Sequence, residues 1–590
     1  MRLSFSRRQR PHTLYVLKSF RDETGKSTTK RVETLGSEEE IEKKYGCPDG
    51  LVWAKNHVEL LNEEERRNKK KIKVELSPTE RINIGEQVSY DCGDLLLLPL
   101  YNGLGLPGVC EGIVAGTKVK YNLNEILEML VMLRILCPCS KLSSYELGKK
   151  RMRRLTCALE DVYKALSLLS SHIDDIQAAV WENSQKILSR NTRVIFYDCT
   201  NYYFEIEDND PVGKDPRHPK RPEGIRRRGK SKEHRPNPIV QMGLFMDRNG
   251  LPLAFCINPG NTAETKTLVP LEKKLDADFG LSDCVVCTDA GLSSLSNRRY
   301  NNRQGRHFIT VQSLKDNKIA QHLQQWALDP EGWHVSGQDN TVTLFTEEFD
   351  KVRNRVLYKE RWINEKKLEQ RLIVTYSEKY AQYQRTLRQQ QIDRALKSIK
   401  NGTARRKKKS PNDASRFIVE THYTDNAEVA DNTRYTLDIE AIQKEARFDG
   451  FYAICSNLEE ETAVEIIRAN AQRWEIEDMF RCLKTEFESR PVYLRRNDRI
   501  IAHFITCFLA LLIFKTLKLK LEKPDLTTSA LRKTLIGMDY LKIWGEGYMP
   551  VFKGDDTTTA IASFVSPTMQ NQVITMRNMK SIVKSCVKVS

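Results

Sequence analysis

The chain has 590 residues, and its 95 lysine and arginine residues outnumber its 78 aspartate and glutamate residues, which gives a formal net charge of +17. With 40% hydrophobic and 29% charged residues, the composition excludes an intrinsically disordered protein. At about 100 to 200 residues per domain, the length predicts several domains. The positive surplus predicts a polyanionic partner and not a small acidic metabolite.

The sequence also argues against secretion and against a membrane span. The N-terminus, MRLSFSRRQRPHTLYV, has no apolar run of signal-peptide length. The longest apolar stretch, residues 500–514, is too short to cross a bilayer and predicts a buried helix. The fourteen cysteines lack a second pair at zinc-finger spacing, so we favour packed, reduced thiols over zinc ligands.

Periodic segments in the first 190 residues predict a mainly helical region that begins with a hairpin. Apolar and polar residues alternate from 13 to 20 and again up to Leu35, on either side of a turn at 22–25. A charged helix is predicted at 62–73. Further helices are predicted at 123–136, 159–169 and 173–188.

Short apolar runs after residue 192 change the pattern to α/β with a mixed sheet. Strands are predicted at 193–198, 239–247, 250–257, 283–289 and 307–312, with a helix at 265–275. Residues 313–445 interrupt this pattern with strands at 341–349 and 371–377 and a polar helix through Lys400. A strand at 451–457 follows, and then helices that continue past Phe514.

Two segments concentrate the positive charge. Residues 214–235 hold ten lysines and arginines against three acids, and residues 394–409 hold eight against none. The second segment is explained equally well by a solvated loop and by DNA contact. The first connects Asp198 to the next strand, and there we favour phosphate contact. The residues predicted to bind DNA in it are Arg226, Arg227, Arg228, Lys230 and Lys232.

Two aspartates follow apolar runs that predict central strands. Asp198 closes one run and Asp289 another. A lone aspartate at such a place is usually a cap or a turn residue, but two at one sheet near a basic loop favour a divalent-metal site. Asp247 also ends a strand, but the sequence Asp-Arg-Asn-Gly predicts a hairpin turn, so we assign it a structural role.

A third acid is expected from the helical segment RWEIEDMFRCLK, residues 473–484. At about 100° per residue, Arg473, Glu477 and Lys484 fall on one face together with Phe480. That face suits a site for metal and phosphate. An ordinary surface ion pair between Arg473 and Glu477 explains the spacing equally well.

This segment resembles the Tyr-x2-Arg-x3-Glu-x6-Lys signature of bacterial insertion-sequence DDE transposases. YDCTNYYFE (197–205) and CTDAGLSS (287–294) are similar to the first- and second-aspartate motifs of that family. The stretches GLPLAFCINPGNTAE (250–264) and RPVYLRRNDRIIAHFITCFLALLI (490–513) resemble its flanks. The signature's tyrosine falls on Asn470, which can hydrogen-bond a phosphate but cannot supply a phenol.

The resemblance implies a ribonuclease H-like catalytic core of the α/β class, interrupted by a strand-rich insertion domain and preceded by a mainly helical N-terminal region. We expect end recognition in the N-terminal region. The expected boundaries are a DNA-binding region at 1–110, a helical region at 111–190, the core at 191–312, the insertion at 313–445, the second part of the core at 446–520 and a C-terminal region at 521–590.

The resemblance also implies the chemistry. Asp198, Asp289 and Glu477 are the expected catalytic acids and ligands of two Mg²⁺ or Mn²⁺ ions, while Arg473, Lys484 and Asn470 are expected to contact DNA. The expected activity is cut-and-paste transposition of an insertion sequence. The expected partners are double-stranded DNA, both terminal inverted repeats and target, and a second copy of the chain, in a bacterial cytoplasm at the nucleoid. A nuclease without strand transfer and a non-catalytic DNA-binding regulator stay open as alternatives.

Overall fold

The computed structural model describes residues 1–6, 11–21, 27–67, 72, 74, 77–153, 155–211, 223–303, 305–315, 319–404, 413–423 and 432–587. The chain divides into two compact units, Met1–Ile84 and Gly85–Ser590. This division falls earlier than the predicted boundary at 110, and the other predicted domain boundaries stay predictions.

The first unit is a three-stranded antiparallel sheet against which two helices pack. Leu14 and Val16 from the sheet and Ile41 and Val58 from the helices form its core. The strands of the predicted hairpin are confirmed, whereas its turn at 22–25 lies outside the described residues. The elements are β1 (Arg2–Phe5), β2 (Leu14–Arg21), β3 (Ser27–Gly36), α1 (Glu38–Tyr45) and α2 (Gly50–Arg67).

The second unit begins with a group of helices. The predicted helices at 123–136, 159–169 and 173–188 are confirmed to within two residues. The helix at 123–136 is buried on nearly every side, as expected for a run of leucine, isoleucine and methionine without a polar face. The elements are β4 (Ser89–Asp91), α3 (Gly93–Gly103), α4 (Leu106–Val114), α5 (Leu123–Leu136), α6 (Lys141–Gly148), α7 (Leu159–Ser171) and α8 (Ile173–Ile187).

Five strands form one half of a ten-stranded sheet, with β7 at its edge. Their order is β7-β6-β5-β8-β9, with β5, β6 and β7 antiparallel and with β8 parallel to both β5 and β9. The strand β6 is buried over its whole length, because helices pack on both faces of the sheet. The elements are β5 (Val194–Tyr203), β6 (Ile239–Met246), β7 (Pro252–Pro259), α9 (Leu268–Phe279), β8 (Cys284–Thr288), α10 (Leu295–Tyr300) and β9 (Arg306–Gln312).

Residues 313–376 extend this sheet. The full order is β11-β10-β12-β13-β16-β9-β8-β5-β6-β7. After β9 the chain forms the four strands β10 to β13 and later returns as β16, which lies between β13 and β9. The strands β10 to β13 are thus part of the main sheet, and the expected insertion domain at 313–445 stays a prediction. The elements are α11 (Gln321–Leu328), β10 (Trp333–Val335), β11 (Thr341–Val342), α12 (Glu347–Val352), β12 (Leu357–Glu365), β13 (Leu368–Tyr376), α13 (Glu378–Lys400), β14 (Ile418–Tyr423), β15 (Asn432–Leu437), α14 (Ile439–Ala446) and β16 (Phe451–Ser456).

The strand predicted at 341–349 is wrong beyond Val342. The hydroxyl of Thr346 accepts a hydrogen bond from the Phe349 amide and begins a short helix instead. Only the later part of the segment stands apart from the sheet, where α13, β14, β15 and α14 share a small core of their own around Ala395 and Phe417.

Helices follow β16, and a small sheet closes the chain. That sheet has the order β19-β18-β17-β4, so it joins the C-terminal region to the strand that precedes α3. The elements are α15 (Ala463–Ala471), α16 (Trp474–Arg481), a π-helical turn (Cys482–Glu486), α17 (Asn497–Lys520), α18 (Thr528–Ile536), β17 (Asp539–Ile543), β18 (Gly547–Pro550), α19 (Asp556–Val565), β19 (Ile574–Thr575) and α20 (Met576–Val587).

The helix α17 is the central helix of the second unit. Its 24 residues include an 18-residue stretch with a mean hydropathy of 2.2, which would suffice to cross a bilayer. However, 89% of that stretch is buried inside the protein. It packs against α3, α5 and α7. The predicted buried helix at 500–514 is thus confirmed, and it is longer than its apolar run.

Candidate functional site

The two aspartates lie at the edge where the parallel strand β8 ends. Tyr197 of β5 pairs with Thr288, the last residue of β8, so Asp198 is the first residue of β5 beyond its shorter neighbour. Asp289 directly follows β8 and caps a short 3₁₀ turn by accepting the Leu292 amide. One correction is needed, because Asp198 does not end its strand and β5 continues to Tyr203.

Asp198 is buried among charges of both signs. Burial raises the pKa of Asp198 to about 6, with a further increase from Asp289, while Lys232 and Arg473 oppose the rise. The Lys232 ammonium lies 3.8 Å from an Asp198 carboxylate oxygen. A carboxylate that is kept from water but surrounded by cations is a common feature of functional sites.

Glu264 is a further acid at this edge, and the sequence analysis did not single it out. Lys232 lies 3.6 Å from its carboxylate and so bridges Glu264 and Asp198. A side chain at Gly291 would meet carboxylate oxygens of Asp289 and Glu264, each at 3.4 Å, so these two acids flank the same glycine. The sequence offered one signal for Glu264, because it is the last residue of the stretch 250–264 that resembles the flank of the transposase motifs.

Glu477 stands apart from these acids. It lies in the first turn of α16 with its side chain 62% exposed, and its carboxylate is 3.6 Å from the guanidinium of Arg473. Within the described ranges, no three histidine, cysteine, aspartate or glutamate side chains are arranged to hold a metal ion. The structure therefore brings Asp198 and Asp289 together but does not bring Glu477 to them.

The helix that carries the signature is irregular at both ends. Arg473 directly precedes α16 without a capping side-chain bond, and Lys484 lies in the π-helical turn, so the regular 100° spacing assumed from the sequence does not extend to Lys484. Lys484 nevertheless faces the site: it contacts Glu233 at 3.2 Å. Burial lowers the pKa of Lys484 to about 8, with a further decrease from Lys232, while Asp198 opposes the change.

Asn470, which stands at the tyrosine position of the signature, contacts a tyrosine from the strand β16. The Asn470 amide donates a hydrogen bond of 3.3 Å to the phenol of Tyr452, in β16. Burial raises the pKa of Tyr452, while bonds to Asn470 and Arg473 lower it. Asn470 is buried, so the structure offers its amide to Tyr452 and not to a surface phosphate. No sequence spacing connects position 452 to 470, and only the fold joins them.

The basic loop divides into internal and exposed residues. Arg226 pairs with Asp210, and buried Arg227 is held by Glu223 and the Asp210 carbonyl. These two arginines stabilise the loop itself, which corrects the expectation that they contact DNA. Residues 214–222 of the predicted basic segment lie outside the described part of the chain.

The other three loop residues predicted to contact DNA differ in their exposure to solvent. Arg228 and Lys230 are exposed, whereas Lys232 points at Asp198 and Glu264. The Lys230 carbonyl and the Lys232 amide bond the side chain of Asn201, which fastens this part of the loop to β5. Of the second basic segment, 394–409, the structure describes residues only up to 404.

The donor chemistry of this edge suits a hard divalent cation. Asp198, Asp289 and Glu264 offer carboxylate oxygens, which are the ligands that Mg²⁺ and Mn²⁺ prefer. The Lys232 ammonium already occupies the space between two of these acids, so the site holds a positive charge. Lys484 and Arg473 add further positive charge beside it.

A comparison with protein families shows the class of this chain. The sequence model of a family described as transposase DDE domain matches residues 213–513, slightly more than half of the chain. This range includes Asp289, Arg473, Glu477 and Lys484 but begins after Asp198. No curated protein matches the chain.

Solved transposase structures show distant similarity. A piggyBac transposase synaptic complex with hairpin DNA has 8% identity and a TM-score of 0.34, with 85% of this chain and 86% of that chain covered. A Mos1 transposase paired-end complex with the left transposon end has 12% identity and a TM-score of 0.12, covering 31% and 57%. A Mos1 mariner paired-end complex with Mn has 12% identity and a TM-score of 0.14, covering 33% and 60%.

Proposed function

The chain belongs to the transposase DDE domain family, and from this premise we propose that it cuts DNA at the ends of a mobile element and joins the cut ends to target DNA. The observation that carries the proposal is the pair Asp198 and Asp289 at the end of β8, with the segment from Arg473 to Lys484 beside them. Double-stranded DNA and a second copy of the chain are the proposed partners, in a bacterial cell.

The proposed core is ribonuclease H-like. The order β7-β6-β5-β8-β9, with an antiparallel meander followed by two parallel strands, supports this assignment. The positions of Asp198 in β5, Asp289 after β8 and Glu477 in α16 support their proposed roles as first, second and third acid. The strands β10 to β13 would then be an extension of that core and not a separate domain.

Asp198 and Asp289 are proposed as ligands of the catalytic ions, with Glu264 as an oxygen donor at the same edge. Glu477, which lies apart from them in this structure, is proposed as the third ligand once DNA and the ions are bound. Two Mg²⁺ or Mn²⁺ ions, when bound, would activate the attacking oxygen and stabilise the leaving oxygen of an in-line displacement. The residues present fit such ions by donor type alone, because Asp198 and Glu264 flank the Lys232 ammonium and Asp289 lies beside Glu264, and all three offer carboxylate oxygens.

The chain's own cations have distinct proposed roles. Arg473 holds the Glu477 carboxylate and orients it. Lys484 and Lys232 offer positive charge beside Asp198, where a scissile phosphate would gain negative charge during the displacement. Arg228 and Lys230, which are exposed on the loop, would contact the DNA backbone.

The test uses a supercoiled plasmid that carries the coding sequence with its flanking DNA, incubated with the full chain and Mg²⁺. From the wild type we expect cleavage at the element ends and joined products. In Asp198→Asn and Glu477→Gln we expect cleavage to fall by more than about 100-fold, which is the most that loss of a group merely supporting a metal ligand usually costs. The matched control is Glu475→Gln, on the same helix. Wild-type cleavage by Asp198→Asn would overturn the assignment, and cleavage without joined products would indicate a nuclease.

A further inference from the structure

A cavity of about 190 Å³ lies away from the carboxylates, between the end of α5, the beginning of α6 and the helix α17. Three basic side chains and one histidine line it, and the remaining lining residues are small, apolar or neutral apart from Glu488. The lining residues are Arg134, Pro138, Cys139, Ser140, Lys141, Tyr163, Glu488, Arg490, Pro491, Val492, Tyr493, Leu494 and His503.

Lys141 is the unusual residue of this cavity. It is only 5% exposed, and its ammonium has no hydrogen-bond partner among the residues that the structure describes. Burial lowers the pKa of Lys141 to about 7, with a further decrease from Arg134. Glu488, although it lines the cavity, is not among the charges that shift this pKa. An ammonium without a partner is costly to bury, which indicates that a ligand supplies the missing acceptor.

The surroundings of Lys141 favour an anion. The guanidinium of Arg134 is fixed by the carbonyls of Phe487 and Cys139 and leaves its Nε atom without a partner in the described part of the chain. Lys141 is the first residue of α6, so the first amides of that helix lie at the same place, although the Ser143 amide is already bonded to the Ser140 hydroxyl. Burial lowers the pKa of His503, as do Arg134 and Lys141, so the imidazole is neutral.

We propose that this cavity binds a phosphate group, supplied by the backbone of bound DNA. Its volume equals about six water molecules and is below the roughly 300 Å³ at which pockets for whole small molecules begin, so it accommodates a phosphate and not a nucleotide. Tyr493 is 71% exposed and lies at the rim, where a stacked sugar or base of the same strand could be held.

The cavity is connected to the candidate catalytic edge, so the inference rests on the proposed function for its source of phosphate. Arg490, a lining residue, forms an ion pair with Glu233, and Lys484 contacts the same carboxylate. Glu233 follows Lys232, which lies beside Asp198. A strand that places one phosphate in the cavity would therefore compete for Arg490 and loosen the loop that holds Lys232 between the acids.

The first experiment measures phosphate binding by the full chain without DNA or metal. Inorganic phosphate is titrated at constant ionic strength, and the melting temperature is recorded for the wild type, Lys141→Met and the control Lys150→Met, an exposed lysine two residues after α6. We expect phosphate to raise the melting temperature of the wild type and the control but not of Lys141→Met. A phosphate response that is the same in all three proteins, or absent from all three, would overturn the proposal.

The second experiment identifies the source of the phosphate. DNA affinity is measured against salt concentration, and one lost phosphate contact should lower the slope of log K against log salt by about 1 in Lys141→Met. An unchanged slope together with a lost phosphate response would overturn the DNA source and leave a site for free phosphate. Both readouts are independent of cleavage, so a chain that binds but never cuts DNA would refute the proposed function and not this site.

Discussion

The substitution Lys141→Met should stabilise the ligand-free protein, because it removes a buried amino group whose protonation the fold opposes and which has no partner among the described residues. In the folded chain the pKa of Lys141 falls from 10.5 to about 7. Between these two values the unfolded chain binds the extra proton and the folded chain does not, so this lysine destabilises the fold fully below pH 7 and not at all above pH 10.5. The gain from Lys141→Met should be about 4 kcal/mol at pH 7.5 and about 1 kcal/mol at pH 9.5.

Hydrogen exchange of α17 peptides reports this gain without requiring two-state unfolding of so long a chain. Protection factors, which are corrected for the intrinsic exchange rate at each pH, should rise about 1,000-fold at pH 7.5 and about tenfold at pH 9.5 in Lys141→Met. Lys150→Met should change them little, because Lys150 is exposed. Equal gains at both pH values, or no gain at pH 7.5, would refute the reasoning that burial in the cavity opposes protonation of Lys141.

Three further changes test other contacts. Tyr452→Phe removes the phenol hydroxyl beside Asn470 and Arg473. It should slow single-turnover DNA cleavage by about tenfold, which corresponds to one hydrogen bond to a charged group, and should change DNA affinity little. An unchanged cleavage rate would mean that Tyr452 only packs. Lys232→Met removes the cation between Asp198 and Glu264 and should tighten Mn²⁺ binding, measured by electron paramagnetic resonance, by about tenfold. Weaker binding would contradict a competition between the lysine ammonium and the metal ion for these two acids. Asp247→Ala leaves buried Arg190 without its carboxylate and should cost about 3 to 5 kcal/mol in urea unfolding, whereas a cost below about 1 kcal/mol would contradict the ion pair's structural role.

The sequence predicted the strands and helices of the core well, because their signals are local. A long apolar run predicts α5 and α17, and short runs ended by aspartate predict β5 and β8. The pairing of distant segments was not predictable. The four strands from β10 to β13 join the main sheet through β16, and nothing in the spacing of residues 313–376 indicates that partner.

The candidate site shows the same division. Asp289 was found from its place after a strand, and Arg473 from a helical spacing. Glu264 and Tyr452 were missed because their neighbours are distant in sequence and are brought near only by folding. Arg227 was expected on the surface from charge alone, yet the loop uses it internally, because a charge count does not show which partner each cation finds.

The most direct test of the catalytic assignment is a change of metal preference. A thiolate is a softer ligand than a carboxylate and accepts Mn²⁺ more readily than Mg²⁺. We therefore expect Asp289→Cys to lose DNA cleavage in Mg²⁺ and to recover a measurable part of it in Mn²⁺, while the wild type cleaves in both. Cleavage by Asp289→Cys at the wild-type rate in Mg²⁺ would contradict the claim that this carboxylate binds a catalytic ion.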